Sequence, residues 1–152
     1  MLFLQFKIND NRYILEARDI IEVVPYANLK RISKAPGYVA GLLNYRGDSV
    51  PVIDLSFLMS DKTSQEKLSS RIALINYKDN NRVVCLGMLI EHLTETVRYD
   101  EKDFTDSGVT LEGIPYLGKV VIDDHSIIQL VDFKKIIPEE VQDMLFQGNH
   151  SE

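Results

Sequence analysis

One segment of this chain occurs twice, and this repeat constrains the fold more than any other feature. The clear copy spans residues 41–58 and the weaker copy residues 118–136. Each copy reads as a strand, a tight turn, an apolar strand and an aspartate, Asp54 or Asp132, that opens a short helical turn. Aspartate suits that place because its carboxylate accepts hydrogen bonds from the unpaired N–H groups of a helix's first turn. Two such units predict a pair of small β-barrels.

The repeat extends upstream to a polar turn followed by an apolar strand, at residues 9–12 in the first half and 79–82 in the second. Short strands separated by turn signals every 8–12 residues or so are typical of barrels and sandwiches. A closed barrel also leaves no exposed strand edge. The sequence therefore predicts a fold of the all-β class, made mostly of strands with two short helices. A C-terminal helix is predicted over 138–147, and its apolar face is expected to pack against the barrels.

Composition narrows the possible functions. The chain has 152 residues and a net charge of −6, which disfavours nucleic-acid binding because that function requires a basic face. Its only basic cluster is Lys30, Arg31 and Lys34, which we interpret as a solvated edge. No apolar run approaches the roughly 18 residues of a membrane span, and the N-terminus lacks the features of a signal peptide. We expect a cytoplasmic protein.

The residues that most often carry chemistry do not form a recognisable site. His92, His125 and His150 are scattered along the sequence, and no local spacing suggests metal ligands. His125 follows two aspartates in what we interpret as a polar turn. Cys85 lies in an apolar strand, where a free cysteine commonly packs as a small hydrophobe. We therefore predict no metal, no cofactor and no enzymatic activity.

The first copy of the repeat contains a motif that identifies a family. Gly41, Asn44, Gly47, Pro51 and Asp54 stand at the signature positions of a pattern that resembles CheW-like coupling proteins of bacterial chemosensory systems. The predicted strands over 20–25 and 86–91 also resemble strands of that family in their sequence patterns. The resemblance extends over about residues 2–137.

The resemblance implies a single CheW-like domain over 1–152, built from two packed five-stranded SH3-like β-barrels. We expect a first lobe over roughly 13–68 and a second over roughly 69–137, with a possible strand contribution from 1–8. The implied function is a non-enzymatic adaptor. It would couple the cytoplasmic tips of methyl-accepting chemoreceptors to the regulatory domain of a CheA-type histidine kinase, and would meet the membrane only through those receptors.

The resemblance also points to partner-binding residues. Ile20, Glu22 and Val23 match positions by which the family engages receptors, although core packing is an equal alternative for Ile20. Glu22 is expected to be exposed or paired, because an unpaired buried carboxylate is costly. Arg46 either bonds loop carbonyls and holds its turn, or contacts a partner. Asn44 is interpreted as structural.

Two other classes of function remain open at this point. A stand-alone barrel pair would bind a small ligand or peptide in the groove between the barrels, and a polar-lined closed cavity would favour it. An enzyme would require one of His92, His125 or Cys85 to lie beside a carboxylate.

Overall fold

The computed structural model describes residues 1–62, 70–79, 81–109, 114, 116–137, 139, 142 and 143. Within these ranges the chain is mostly β, with two short helices and two single 3-10 turns. The strands are β1 (Leu2–Ile8), β2 (Asn11–Glu16), β3 (Ile20–Pro25), β4 (Val39–Tyr45), β5 (Asp48–Asp54), β6 (Arg71–Asp79), β7 (Arg82–Ile90), β8 (His92–Arg98), β9 (Phe104–Thr105), β10 (Leu117–Asp123) and β11 (Ser126–Val131). The helices are α1 (Leu55–Ser60) and α2 (Phe133–Ile136), and the 3-10 turns span Ala17–Asp19 and Glu101–Asp103.

The strands form two sheets, which confirms the predicted mostly-β class. The first sheet has six strands in the order β8-β1-β2-β11-β10-β9, and the second has five in the order β3-β6-β7-β5-β4. Most neighbours are antiparallel, but β11 pairs parallel with β2 and β5 pairs parallel with β7. The expected five strands are therefore found in one sheet only, because β9 adds a sixth to the other. Among the described residues each sheet keeps two edge strands, so its ladders do not close it into the predicted barrel.

The two halves of the repeat exchange their hairpins. The β1–β2 hairpin of the first half lies in the sheet of β8–β11, and the β6–β7 hairpin of the second half lies in the sheet of β3–β5. The sheets therefore do not follow the predicted lobes, 13–68 and 69–137, although the strand from 1–8 does join the second half. Each exchanged hairpin meets its sheet through one parallel pairing, β2–β11 or β5–β7, and one antiparallel pairing, β1–β8 or β3–β6. Both kinds of pairing join segments that are distant in sequence, so no local pattern predicts them.

Three apolar clusters fill the part of the molecule that the structure describes. The largest joins the two sheets and includes Leu4, Phe6 and Met88, while a second lies within the five-stranded sheet and a third within the six-stranded sheet. Phe3 belongs to the third cluster, so β1 is buried on both faces. A central strand that packs inside a barrel and against its neighbour needs apolar side chains on both sides.

The predicted turn and cap chemistry is confirmed. Asn9 and Asp10 have φ angles of 50° and 69° in the turn between β1 and β2. Asp54 accepts a hydrogen bond from the Phe57 amide at 3.2 Å, and Asp132 accepts one from the Lys134 amide at 3.0 Å. The predicted C-terminal helix over 138–147 falls mostly outside the described residues.

Candidate functional site

The signature motif forms the turn between β4 and β5. Arg46 and Gly47 are its two loop residues, with φ angles of 52° and 88°, and Tyr45 pairs with Asp48 across the hairpin. Two positive φ angles in a two-residue loop match the twist of the flanking strands, and glycine adopts them without steric cost. The Asn44 Oδ1 atom accepts a hydrogen bond from the Gly47 amide at 3.0 Å. The motif therefore fixes the turn that carries Arg46.

Three polar side chains meet beside this turn. The Tyr45 hydroxyl donates to Oε2 of Glu22, and the Arg46 Nη2 atom lies 3.4 Å from the same oxygen. The Arg46 guanidinium also lies over the Tyr45 ring, 5.0 Å from its centroid. Glu22 is thus paired, as expected, while 38% of its side chain and 75% of the Arg46 side chain stay exposed. Arg46 reaches these two side chains instead of the loop carbonyls considered from the sequence.

The hydrogen bond to the Glu22 carboxylate raises the pKa of the Tyr45 hydroxyl above its ordinary value of 10.0, and desolvation adds to the shift. The nearby Arg46 charge acts in the opposite direction. A phenol donating to a carboxylate loses that bond when it ionises, which explains the direction. Tyr45 is therefore a neutral donor at physiological pH.

This cluster connects the two edge strands of the five-stranded sheet, since Glu22 lies on β3 and Tyr45 ends β4. A second link is the backbone bridge between Lys30 and Leu42, whose two N–H···O bonds measure 2.9 and 2.8 Å. Gly41 allows that bridge, because a Cβ there would lie 2.6 Å from the Lys30 carbonyl oxygen and its φ is 147°. These links draw the open sheet toward a barrel.

The other residues predicted for partner binding lie on the opposite side of β3. Ile20 pairs with Ile75 and Val23 with Ala73, and both are partly buried against the cluster that joins the sheets. The structure therefore brings Glu22 and Arg46 together and places Ile20 and Val23 apart from them. The ladder shifts register between Ile20 and Glu22, and the extra residue, Ile21, is exposed.

The remaining signature positions lie away from the Glu22–Tyr45–Arg46 contacts. Pro51 lies opposite Leu42 in the β4–β5 hairpin, and Asp54 is buried at the start of α1. Tyr45 was missed by the sequence analysis because it fills the variable position of the motif. The sequence pattern that would indicate Tyr45 is an aromatic residue at the end of a strand, directly before an arginine that opens a two-residue hairpin loop.

The described residues bring together no group of three or more His, Cys, Asp or Glu side chains that could hold a metal ion. The His92 Nε2 atom lies 3.3 Å from Oε1 of its neighbour Glu91. Burial raises the pKa of the Cys85 thiol, and the charge of Asp48 adds to the shift. A thiol with a raised pKa is a weak nucleophile at neutral pH. His150 lies outside the described residues.

Among the described helices, none has the length and apolar character required to cross a membrane.

Comparison with known proteins finds a matching family and several similar proteins. A family model described as a CheW-like domain matches residues 2–141. The chain is 28% identical over 109 residues to the chemotaxis protein CheW of Helicobacter pylori, an alignment that covers 72% of this chain and 64% of that protein, just under two thirds. It is 27% identical over 137 residues to the chemotaxis protein CheW of Thermotoga maritima, which covers 90% of this chain and 87% of that protein.

A solved structure supports the fold. The crystal structure of the scaffolding protein TtCheW from Thermoanaerobacter tengcongensis superposes with a TM-score of 0.76 at 21% identity, covering 90% of this chain and 87% of that one. The two-sheet architecture is thus shared with that protein. With a family model that spans nearly its whole length, this chain belongs to the CheW-like domain family.

Proposed function

We propose that this protein is a cytoplasmic, non-enzymatic adaptor that couples methyl-accepting chemoreceptors to a CheA-type histidine kinase. The family match and the names of the relatives support a scaffolding role in chemotaxis. The observation within the molecule that carries the proposal is the Glu22–Tyr45–Arg46 cluster. It is held by a fixed backbone and still leaves most of the Arg46 side chain open to a partner.

The form of this cluster suits protein recognition. Arginine and tyrosine are the side chains that most often anchor interfaces. The Asn44 bond and the stacking on Tyr45 restrict Arg46 before any partner arrives, so less conformational entropy is lost on binding. A groove of about 340 Å³ adjoins the turn and is lined by Lys30, Leu42, Leu43, Asn44, Gly47, Asp48 and Ser49. Arg46 and this groove form a surface on which part of a partner can rest.

Ile20 and Val23 contribute in a different way. They are only partly buried, and they lie on an edge strand that borders the contact between the two sheets. We propose that an apolar partner, such as the cytoplasmic hairpin tip of a receptor, covers their remaining exposed surface. The same receptor tip would extend around the edge strand β3 to the Arg46 turn. The kinase regulatory domain would take a surface apart from both, so that both partners bind at once.

The small-ligand alternative gains no support from the contact between the two sheets. Among the described residues, that contact is filled by large apolar side chains, including Phe6, Ile75 and Met88. A ligand site usually combines an open apolar pocket with a few convergent polar groups. The adaptor is therefore favoured over the ligand-binding module. His92 does lie beside the carboxylate of Glu91, but that contact joins two adjacent residues and by itself supports no proposal of catalysis.

The direct test is binding. The purified protein is expected to bind both a CheA-type regulatory domain and a receptor cytoplasmic hairpin with a Kd in the range of about 1–30 μM, corresponding to roughly 6–8 kcal/mol. Isothermal titration calorimetry of each pair, and co-sedimentation of all three, measures this. Absence of binding to both partners by a protein with a cooperative melting transition would reject the proposal.

A charge reversal tests the role of Glu22. Glu22→Lys is expected to weaken receptor binding about tenfold or more, because it places a second cation beside Arg46 at the recognition surface. Its melting temperature should change little, since exposed ion pairs contribute about 0–1 kcal/mol. Glu95→Lys is the matched control, because Glu95 and Glu22 each lie on an edge strand. Glu95 lies on β8 and pairs with Gln5 of β1, and Glu22 lies on β3 and pairs with Leu74 of β6. Equal loss of binding in both variants would count against a local role for Glu22.

A further inference from the structure

One carboxylate oxygen, Oε2 of Glu22, serves two neighbours that differ in charge. The Tyr45 hydroxyl donates to it, and the Arg46 Nη2 atom lies 3.4 Å from it. That separation is longer than the roughly 2.7–2.9 Å of a strong hydrogen bond between a guanidinium and a carboxylate. The hydroxyl and the guanidinium therefore share one acceptor, and the guanidinium is loosely held.

The Arg46 guanidinium has donors left for a partner. A guanidinium carries five N–H groups in a planar fork. Among the described residues, its contacts are the one from Nη2 to Glu22 and the stacking of its face on the Tyr45 ring, 5.0 Å from the centroid. The Arg46 side chain is 75% exposed. Because such a fork binds a carboxylate through two parallel hydrogen bonds, an acidic side chain is the partner group that fits it.

A transfer of Arg46 to a partner would take the cation away from Glu22. Among the described residues, the Glu22 carboxylate contacts Tyr45 and Arg46. A carboxylate that loses its partner while a binding protein covers it raises the free energy of the complex. The Tyr45 hydroxyl reduces this cost because it stays on the same oxygen as a neutral donor. Tyr45 thus allows Arg46 to leave.

We propose that Tyr45 is a positioning residue, whose hydroxyl holds Glu22 in place while Arg46 transfers to a carboxylate on the receptor tip. This inference rests on the proposed adaptor function and extends it by naming the chemistry of the partner, an acidic side chain. Position 45 is the variable position of the signature motif. Its residue therefore tunes the affinity for an acidic tip without changing the turn itself.

Arg46→Ala imitates the transfer without any partner. If the hydroxyl holds Glu22 by itself, the pKa of Tyr45 should be higher in this variant than in the wild type, because the Arg46 charge lowers that pKa. The ultraviolet absorbance of tyrosinate is titrated in Arg46→Ala and in Arg46→Ala/Tyr45→Phe, and the difference reports Tyr45. A pKa equal to or below that of the wild type would show that Tyr45 releases Glu22 once Arg46 has left, and would overturn the proposal.

The effect on binding is measured by calorimetry with the receptor hairpin. Tyr45→Phe keeps the ring under Arg46 and removes the hydroxyl, so the Kd should rise about three- to tenfold. Binding of the kinase regulatory domain should not change, because that domain takes a surface apart from the turn. Tyr99→Phe is the matched control and should bind normally, since it also loses one hydroxyl while its ring packs against Phe3 and Phe104 in the other sheet.

A receptor hairpin whose tip carboxylates are replaced by amides separates this role from a purely structural one. It should bind the wild type about tenfold more weakly, and it should bind Tyr45→Phe and the wild type equally. A hydroxyl that only supports the fold would instead weaken binding of both hairpins, and thermal melting confirms that each variant folds.

The outcomes separate this proposal from the adaptor function. If the hairpin binds the wild type and Tyr45→Phe with the same Kd, the role of Tyr45 is rejected and the adaptor function stands. If the hairpin and the kinase domain both fail to bind the wild type, the adaptor function is rejected and this proposal with it.

Discussion

The two copies of the repeat share a backbone framework. In the first, the Asp54 amide donates to the Tyr38 carbonyl at 2.7 Å, and in the second the Asp132 amide donates to the Tyr116 carbonyl at 2.9 Å. The two copies are thus offset by 78 residues (116 − 38). Both hairpins then carry a register shift near their start. The same frame is built twice from different side chains.

The two turns differ in their chemistry. Arg46 and Asp124 occupy equivalent positions, with φ angles of 52° and 53° and opposite charges. Arg46 binds Glu22 on β3, the edge strand at the other end of its sheet, whereas the second turn is held through Asp123 and Arg12. The frame is thus kept while the exposed group changes sign, so that the two sheets present surfaces of different charge.

The helix caps should show the largest difference between the copies. Asp54 is buried and Asp132 is exposed, although both accept a bond from the first turn of a helix. We expect Asp54→Ala to lower the free energy of unfolding by about 2 kcal/mol and Asp132→Ala by about 0.5–1 kcal/mol. Urea denaturation measures both, and Asp54→Asn is the control that keeps a capping oxygen. Equal losses would show that burial does not separate the two caps.

The turns themselves should differ next. Gly47 has a φ of 88°, whereas in the second turn only Asp124, and not His125, has a positive φ. Gly47→His should therefore cost about 1–2 kcal/mol from left-handed strain. Gly47→Asn should cost less, because asparagine tolerates that conformation. His125→Gly should change stability by about 1 kcal/mol or less. Urea unfolding midpoints measure these losses, provided that the dependence of the unfolding free energy on urea is the same in all variants. Equal losses for Gly47→His and His125→Gly would contradict the expected order.

The exposed charges should matter little for stability. Arg46→Ala removes an ion pair with Glu22 and a cation–π contact, yet its side chain is mostly exposed. We expect a loss of about 1 kcal/mol or less at low salt, shrinking as salt rises. Asp124→Ala is the counterpart in the second turn and should be neutral. A loss of several kcal/mol for Arg46→Ala would make it a structural residue, unsuited to partner contact.

Much of this fold could be predicted from local patterns. The Asp54 and Asp132 caps and the hairpin turns follow from residues next to each other in the chain. The exchange of hairpins between halves could not be predicted, because the parallel pairs β2–β11 and β5–β7 join segments far apart in sequence. The predicted copies begin at residues 41 and 118, an offset of 77 residues that aligns Asn44 with Val121, whereas the offset of 78 in the backbone frame aligns it with Ile122. That shift of one residue matters, because it reverses which side chains face outward.

The candidate site shows the same limit. The motif predicted the turn, and the cost of burying a carboxylate predicted that Glu22 would be exposed or paired. The partner of Glu22 was not predicted, since Tyr45 and Arg46 meet it across two edge strands that only the closure of the sheet brings together. Roles in binding for Ile20, Glu22, Val23 and Arg46 stay predictions until partners are tested.

The smallest expected effect is also specific to the first turn. Because the Tyr45 hydroxyl donates to Glu22, the pKa of Tyr45 is higher in the folded protein than its ordinary value of 10.0. The hydrogen bond therefore contributes fully to stability below about pH 10, and this contribution is lost as the pH rises through the raised pKa. The unfolding free energies of the wild type and Tyr45→Phe should therefore differ at neutral pH and converge in strong alkali. The ultraviolet absorbance of tyrosinate is titrated in both proteins, and the curve of Tyr45→Phe is subtracted from that of the wild type. The difference should show one tyrosine that ionises above the ordinary pKa of 10.0. Glu22→Gln should move that ionisation toward its ordinary pH, whereas Glu95→Gln on the opposite sheet should leave it unchanged. A Tyr45 that ionises at its ordinary pH in the wild type would show that its bond to Glu22 does not persist in solution.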